Sequence, residues 1–258
     1  MADELLIMTP HGGKFVGDDR PGVRYTVERG KLTGWFERPG VKQERTEKMQ
    51  GNGNFLAPAW RQSKLPAWEG LILTDSLAQQ NKAISDLAPL LGDGDLIRLT
   101  VRSPEGPVAE TWADAQLDDA PTPEVLVPGR VARYRVRMYC PGSFRYGEEH
   151  TFSSGEAASH RGSTDALPSF EVTGSMPSGY AIESSLGTFT VTQALTSGQK
   201  HTIDFADGGL VYRNGALQRG VYAHPRQLWA IEKGAHVVHT LDPVSGSGSL
   251  TVKLLDTF

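Results

Sequence analysis

The stretch Val131-Ala132-Arg133-Tyr134-Arg135-Val136-Arg137-Met138-Tyr139 alternates apolar and basic side chains. Successive side chains of a β-strand point to opposite faces of a sheet. One face of this strand therefore carries Tyr134, Val136 and Met138, and the opposite face carries the three arginines. The pattern predicts a strand whose apolar face packs in a core, and Pro141-Gly142 ends it.

A single helix is expected ahead of this strand, over about residues 75–91. Apolar side chains recur there at spacings of seven, three and four residues, which places them on one helical face. Thr74-Asp75-Ser76 supplies an N-cap, and Pro89 and Gly92 mark the end. The apolar positions are Leu77, Ile84, Leu87 and Leu91, and the polar positions expected on the opposite face are Gln79, Gln80, Lys82 and Asp86. A helix with one apolar stripe packs on another layer, here a sheet.

Residues 41–66, which we call the arm, show neither helical nor strand periodicity. The arm combines a crowded run of charges with the stretch Gly51-Asn52-Gly53-Asn54. Long loops in compact domains are usually functional or held by a partner. Leaving a large apolar side chain in water costs about 1.5 to 3 kcal/mol. We therefore expect the arm's apolar set, which is Phe55, Leu56, Trp60 and Leu65, to be covered, either by the same chain or by another, and we predict that another chain covers part of it.

The second half of the sequence predicts an antiparallel β-sandwich. Short apolar runs recur every 8 to 12 residues with turn residues between them, which is typical of that architecture. Asn214-Gly215 predicts a type I′ hairpin, because both of its positions need positive φ. The Pro- and Asp-rich segment 118–129 is interpreted as a connector. We expect two domains, residues 1–142 with the helix and the arm, and residues 143–258 with the sandwich.

Composition excludes several classes of protein. The chain has 258 residues with 26 basic and 30 acidic side chains, a formal charge of −4, so it lacks a basic nucleic-acid footprint. The single cysteine excludes an internal disulfide framework. No apolar run approaches the ~20 residues of a membrane-spanning helix. The start, Met1 to Leu6, carries acids where a signal peptide has Lys or Arg, so we expect folding in a cytoplasm.

The search for chemistry predicts no catalytic, cofactor-binding or metal-binding residue. His236 and His239 lie three positions apart in a predicted strand, so they face opposite sides and cannot share a metal; surface and cross-strand positions are expected for them. Cys140 is expected to be a buried, inert thiol. No HExxH, GxSxG or P-loop spacing occurs.

The row formed by Arg133, Arg135 and Arg137 is the most informative polar feature. Two interpretations stay open: a solvated strand face, or a protein interface in which arginine pairs with carboxylates. Together with the apolar set of the arm, this row makes up the predicted subunit or partner interface.

In its first half, the order of parts resembles the N-terminal domain of distal tail proteins of siphophages. The parts are the arm from Met49, a strand, the capped helix, a strand over Leu96 to Val101, and the closing stretch Ala132 to Gly142. The closing strand of that family typically ends in an Ala-Asp-Pro-like corner. Here Cys140-Pro141-Gly142 stands in its place, without the acid.

The second half resembles the C-terminal domain of siphophage tail components. The family pattern has a Gly-led strand pair, an Ile-Asp strand and a Gly turn before the penultimate strand. The residues that carry it are Phe170 to Gly174, Gly179 to Ile182, Leu195 to Gly198, Thr202 to Asp204, Tyr212 to Gly215 and Trp229 to Gly234. Glu232-Lys233 replaces the usual proline before Gly234.

The resemblance implies a mainly-β fold with one helix in an α+β N-terminal domain, and a C-terminal galectin-like or jelly-roll antiparallel β-sandwich. It implies a virion structural protein at the tail tip, assembled in the host cytoplasm as a hexameric ring through which DNA passes. The implied partners are other copies of the chain, the tail tube protein, the baseplate hub or tail-associated protein, and the tape measure protein. Sequence-specific nucleic-acid binding and membrane insertion are not expected.

A second hypothesis is a carbohydrate-binding module that contributes to host-surface attachment. Galectin-like sandwiches serve both roles, so fold alone does not decide between them. A sugar site needs an exposed aromatic ring with polar groups beside it. Tyr180, Tyr212, Tyr222 and Trp229 are the candidates. A third class, a hydrolase, lacks any supporting motif.

Overall fold

The computed structural model describes residues 5–17, 24–44, 52, 58–104, 108–223 and 226–258. The chain divides into two compact units, Met1–Arg145 and Tyr146–Phe258. The described residues are mainly β with a single helix, which confirms the predicted fold class. No described helix is long and apolar enough to span a bilayer.

The first unit is built from antiparallel strands and the helix. Its described elements are β1 (Leu6–Met8), β2 (Lys14–Val16), β3 (Val41–Gln43), β4 (Ala59–Arg61), β5 (Ala67–Leu73), α1 (Leu77–Leu90), β6 (Ile97–Arg102), β7 (Glu110–Leu117), β8 (Glu124–Val127) and β9 (Val131–Tyr139). Hydrogen-bonded neighbours follow the order β2, β1, β6, β7, β9, β5. On β9, residues 138–139 pair with β7 and residues 131–133 pair with β8.

The segment around Tyr25 and Thr26 closes this sheet on itself. Tyr25 forms an antiparallel bridge to Ile72 of β5, and Thr26 forms a parallel bridge to Val16 of β2. The two ends of the strand order are thereby joined, and the sheet becomes a small barrel. Its core contains an aromatic cluster in which the Phe15 ring centroid lies 5.4 to 5.9 Å from those of Tyr25, Trp68 and Tyr134.

Gly70 of β5 permits this closure. A Cβ at this position would lie 1.7 Å from the backbone oxygen of Thr26. The Tyr134 hydroxyl donates to that same oxygen at 2.6 Å. Only glycine lets the crossing segment approach this closely, because the obstacle is backbone and cannot rotate away.

Strand β9 and helix α1 form largely as predicted. Tyr134, Val136 and Met138 are fully buried while the three arginines are exposed. The Ser76 hydroxyl caps the helix by accepting from the Gln79 amide at 3.3 Å. The Tyr25 hydroxyl donates to the Ala83 carbonyl at 2.8 Å, which fixes α1 to the barrel.

Two side chains of α1 take the opposite face from the one expected. Gln80 is fully buried, donating through Nε2 to the Val127 carbonyl at 3.1 Å and accepting from the Gly129 amide at 2.8 Å. The backbone between β8 and β9 needs these partners, so an amide side chain fits inside. Leu77, in the first turn, is 56% exposed.

The arm also differs from the expected aperiodic segment. Its strands β3 and β4 pair antiparallel, with Val41 opposite Arg61 and Gln43 opposite Ala59. The base of the arm is anchored near the end of β9, because Lys64 and Cys140 exchange backbone hydrogen bonds of 3.2 and 2.9 Å.

The second unit consists of two antiparallel sheets around one core. Its described strands are β10 (Tyr146–Ser153), β11 (Ala157–Ala158), β12 (Ser169–Ser175), β13 (Tyr180–Ser184), β14 (Gly187–Val191), β15 (Lys200–Asp204), β16 (Leu210–Arg213), β17 (Ala216–Gln218), β18 (Val237–Pro243) and β19 (Ser247–Thr257). One sheet has the order β17, β16, β15, β12, β19, β10, and the other has β11, β18, β13, β14.

The core of the second unit is aromatic at its centre. The Phe205 ring lies 5.1 Å from that of Phe170 and 4.8 Å from that of Trp229, both in edge-on contact. Asn214 and Gly215 have φ of 46° and 85°, and they join β16 to β17 as the type I′ signature predicts.

Candidate interaction surfaces

The arginine row lies on the outer face of β9, as the alternation predicts. Arg133 faces Glu28 at 4.0 Å and Arg135 faces Glu69 at 3.6 Å. Arg137 pairs with Asp118 through a short contact. These arginines are matched by carboxylates of their own unit, and exposed pairs of this kind contribute about 0 to 1 kcal/mol each.

A shallow cavity of about 130 Å³ lies beside this row, lined by Arg135 and Arg137 together with Asp119, Ala120 and Thr122. Its walls are open and mostly polar. A cavity this small lies well below the ~300 Å³ at which small-molecule pockets begin. The arginine row is therefore a charged surface rather than a ligand pocket.

The apolar residues predicted on the arm are only partly described. Phe55 and Leu56 lie outside the described residues. Trp60 on β4 is 58% exposed, and Leu65 is 49% exposed. The described part of the arm thus presents a large aromatic side chain to solvent, and Val41 on β3 is 62% exposed as well.

A second apolar surface, on β8, was missed by the sequence interpretation. Val125, Leu126 and Val127 are 48%, 43% and 48% exposed, so this strand presents apolar side chains on both of its faces. Leu77 at the start of α1 lies close by, since its backbone nitrogen is 2.9 Å from a Cβ built on Gly129. We call Leu77 and these three residues the β8 edge. The apolar run was visible in the sequence, but its Pro- and Asp-rich surroundings favoured a connector.

The groups tested for chemistry are buried or structural. His239 takes a cross-strand position on β18, opposite Ser184 of β13, but it is fully buried there and accepts from the Trp229 indole at 3.1 Å. Burial lowers the pKa of His239 to about 4, because desolvation penalises the imidazolium. His236 is exposed and precedes β18. Cys140 is buried, and burial raises the pKa of its thiol to about 11.

A second buried histidine forms a network in the other sheet. His201 on β15 lies 2.9 Å from the Tyr180 hydroxyl through Nδ1 and accepts from Arg213 Nε through Nε2 at 3.2 Å. Burial, followed by the nearby Arg213 charge, lowers the pKa of His201 to about 4. Arg213 also donates to the Ala194 carbonyl at 2.6 Å. The network satisfies buried polar groups and holds no open face for a substrate.

Two of the four candidate sugar-stacking rings are removed by burial. Tyr180 is fully buried and Trp229 is 7% exposed. Tyr212 and Tyr222 are partly exposed. Within the described ranges no group of three His, Cys, Asp or Glu side chains could hold a metal ion.

The fold is shared with solved phage proteins. The crystal structure of Dit (gp 19.1) of phage SPP1, presented as a paradigm of the hub adsorption apparatus in phages that infect Gram-positive hosts, matches with a TM-score of 0.75. That match has 11% sequence identity and covers 98% of this chain and 99% of that chain. A chain of the phage P2 baseplate, in its activated conformation with Ca, matches with a TM-score of 0.50 at 9% identity, covering 97% of both chains.

The structure of the same phage P2 baseplate with Sr matches with the same TM-score, sequence identity and coverage. No family model matches the sequence, and no curated protein matches it. At 11% identity, the likeness is one of fold: it lies in the course of the backbone over the whole chain and not in the residues. This chain has the fold of a phage distal tail protein, the family that its sequence resembles.

Proposed function

We propose that this chain is a structural protein of a phage virion, located at the tail tip, and that it works by assembly rather than by catalysis. The observation that supports this most strongly is the match to phage SPP1 Dit over 98% of the chain. A barrel and a sandwich with filled cores, and with titratable groups engaged in internal contacts, are consistent with a structural role.

We infer that the chain assembles into a ring. A ring requires a heterologous interface, in which two different surfaces of each subunit meet. The first unit offers two such surfaces, the arm and the β8 edge, each of which exposes apolar side chains. The sequence resemblance implies six copies in the ring.

In the proposed role the ring connects the tail tube to the baseplate hub and surrounds the path of the ejected DNA. The partners are the tail tube protein, the hub or tail-associated protein and, as a further contact, the tape measure protein. DNA passage needs no base recognition, and the formal charge of −4 agrees with a chain that does not bind duplex tightly.

The native mass of the purified full-length chain tests this proposal. One chain has a mass of 28.0 kDa. Native mass spectrometry should give one whole-number multiple of that mass. Electron microscopy should show rings with a central opening. A single-chain mass at all concentrations, with no incorporation into tail tips, would refute the proposed function.

A second candidate function is glycan binding by the sandwich, as part of host attachment. Arg226 stacks over the Tyr222 ring at 4.3 Å and donates to the Gly208 carbonyl at 2.7 Å. The Tyr212 hydroxyl lies 3.5 Å from the Asp207 carboxylate, next to that carbonyl. Two aromatic rings and two charged groups thus border the same turn, which is the composition that a sugar site needs.

Glycan-array binding by the full chain tests this candidate. Binding that is lost in Tyr222→Ala and retained in Trp60→Ala would place the sugar on the sandwich. Absence of binding on an array that covers host cell-wall sugars would remove the candidate.

A further inference from the structure

We propose that the β8 edge of one copy is the docking site for the arm of a second copy of this chain. This inference rests on the proposed self-assembly and names the two surfaces that would meet. It is carried by three observations on the first unit: an exposed apolar strand, an exposed two-stranded arm, and opposite charge on the two segments.

Strand β8 lies outside the closed barrel. Its hydrogen bonds go to β9, at residues 131–133, and its other edge pairs with no strand in the described part of the chain. Val125, Leu126 and Val127 all remain exposed, so each leaves nearly half of its surface in water. Natural proteins avoid leaving such an edge in water, because it is a template for pairing with another chain.

The arm likewise lacks a covering layer. Strands β3 and β4 pair only with each other among the described strands, and a lone two-stranded hairpin is marginally stable in water. Val41 and Trp60 are exposed at 62% and 58%. Such a hairpin gains stability when a third strand or an apolar surface covers it.

The arm and the segment that contains β8 carry opposite charge. Residues 41–66 contain five basic side chains and two acidic ones, and of the basic ones only Lys64 is known to be buried, where it donates to the Glu37 carbonyl. Residues 118–127 contain three acidic side chains and no basic one, with Glu124 opposite Arg133 of β9. Asp118 is already paired with Arg137, and Asp119 and Glu124 are exposed. Opposite charge at two apolar surfaces sets their register and disfavours contact of each surface with its own kind.

The occupant is a second copy because one copy leaves both surfaces exposed. Within a single chain the described arm and the β8 edge are present together, yet neither covers the other. Pairing between copies satisfies both. Because the two surfaces differ, each copy uses its arm on one neighbour and its β8 edge on the next, and such a contact can close into a ring.

Disulfide trapping between mixed variants tests this contact directly. Lys42→Cys places a thiol on the arm and Leu126→Cys places one on the β8 edge, in full-length chains. Native Cys140 is buried and stays silent. Under mild oxidation we expect a covalent dimer when the two variants are mixed, and at least tenfold less when either variant is oxidised alone.

The matched control replaces the acceptor position. Leu96→Cys is also in the first unit and Leu96 is 57% exposed, but it belongs to neither surface. Mixed with Lys42→Cys, it should give no more dimer than the single variants. Leu126→Lys should shift the native mass towards the 28.0 kDa of one chain, whereas Leu96→Lys should keep the wild-type mass.

The outcomes separate the two proposals. A wild-type assembly that persists in Leu126→Lys, with no trapped dimer in the mixture, overturns this contact and leaves the proposed function standing. A wild-type chain that has the mass of a single copy at every concentration overturns both. Circular dichroism of each variant establishes that the first unit is folded.

Discussion

Acidification should destabilise the second unit through its two buried histidines. His201 and His239 are fully buried, and burial lowers the pKa of each to about 4. In the unfolded chain a histidine titrates at about 6.5. Below that pH the unfolded state takes up protons that the folded state refuses. The contribution of the two neutral histidines to the free energy of unfolding is therefore fully present above about pH 6.5. It is lost progressively as the pH falls towards 4.

The size of the effect follows from the gap between the two pKa values. A pH of 5 is about 1.5 units below the pKa of a histidine in the unfolded chain, so the unfolded imidazole is protonated. The folded imidazole is still neutral at this pH. At 1.36 kcal/mol per unit, each histidine removes about 2 kcal/mol between pH 7 and pH 5. Two independent sites would remove about 4 kcal/mol, a large share of the stability of a domain this size.

Urea unfolding followed by nuclear magnetic resonance can measure this loss in the full chain. The indole signal of Trp229 reports on the second unit, and that of Trp68 reports on the first. His239→Gln keeps an acceptor for the Trp229 indole but does not titrate, so the loss between pH 7 and pH 5 should shrink by about 2 kcal/mol. Exposed His236→Gln is the matched control and should leave the loss unchanged. Equal losses in wild type and His239→Gln would refute the reasoning.

Two further substitutions test the first unit. Gly70→Ala should destabilise it by at least about 1 to 3 kcal/mol, because the new methyl group meets the Thr26 backbone oxygen; Gly142→Ala, with no atom within 4 Å of the added group, should change the urea midpoint little. Gln80→Leu leaves the Gly129 amide without its acceptor and should cost about 1 to 3 kcal/mol, because the Val127 carbonyl keeps the Arg130 amide as a donor. Gln79→Leu affects only an exposed contact; a Trp68-monitored midpoint equal for both glutamine variants would contradict the assigned role of Gln80.

The elements that the sequence predicts correctly are those fixed by local chemistry. Strand β9 follows from strict alternation, the Asn214-Gly215 hairpin from its need for positive φ, and the start of α1 from the Ser76 cap. Each of these signals is contained in a few consecutive residues, so it survives without knowledge of the tertiary structure.

The features that the sequence does not predict depend on contacts between distant segments. Gln80 is polar yet buried, because backbone groups near Gly129 need its amide. His239 is buried because the Trp229 indole donates to it. Barrel closure depends on Thr26 crossing Gly70, a contact between segments 44 residues apart in the chain. Helical and strand periodicity predicts the face of its element on which a residue lies. It does not predict which distant segment packs against that face.

The candidate surfaces are predicted only in part, for a related reason. The alternation on β9 places Arg133, Arg135 and Arg137 on the outer face, but it cannot show that each faces a carboxylate. The arm was marked by its apolar residues, and its Trp60 is indeed exposed. Its predicted role at a subunit interface stays a prediction. An exposed side chain and a buried one look alike in a sequence until the core has been assembled.

Closure of the barrel gives the β8 edge its significance. The strands β1, β2, β5, β6, β7 and β9 and the segment at Thr26 complete a ring of hydrogen bonds without β8. Val125, Leu126 and Val127 are absent from the buried core of this unit, so folding of one copy does not require them to be apolar. Polar residues would serve an exposed strand equally well and would protect it from association. Three consecutive apolar residues at that position are what the proposed contact between copies of the chain would require.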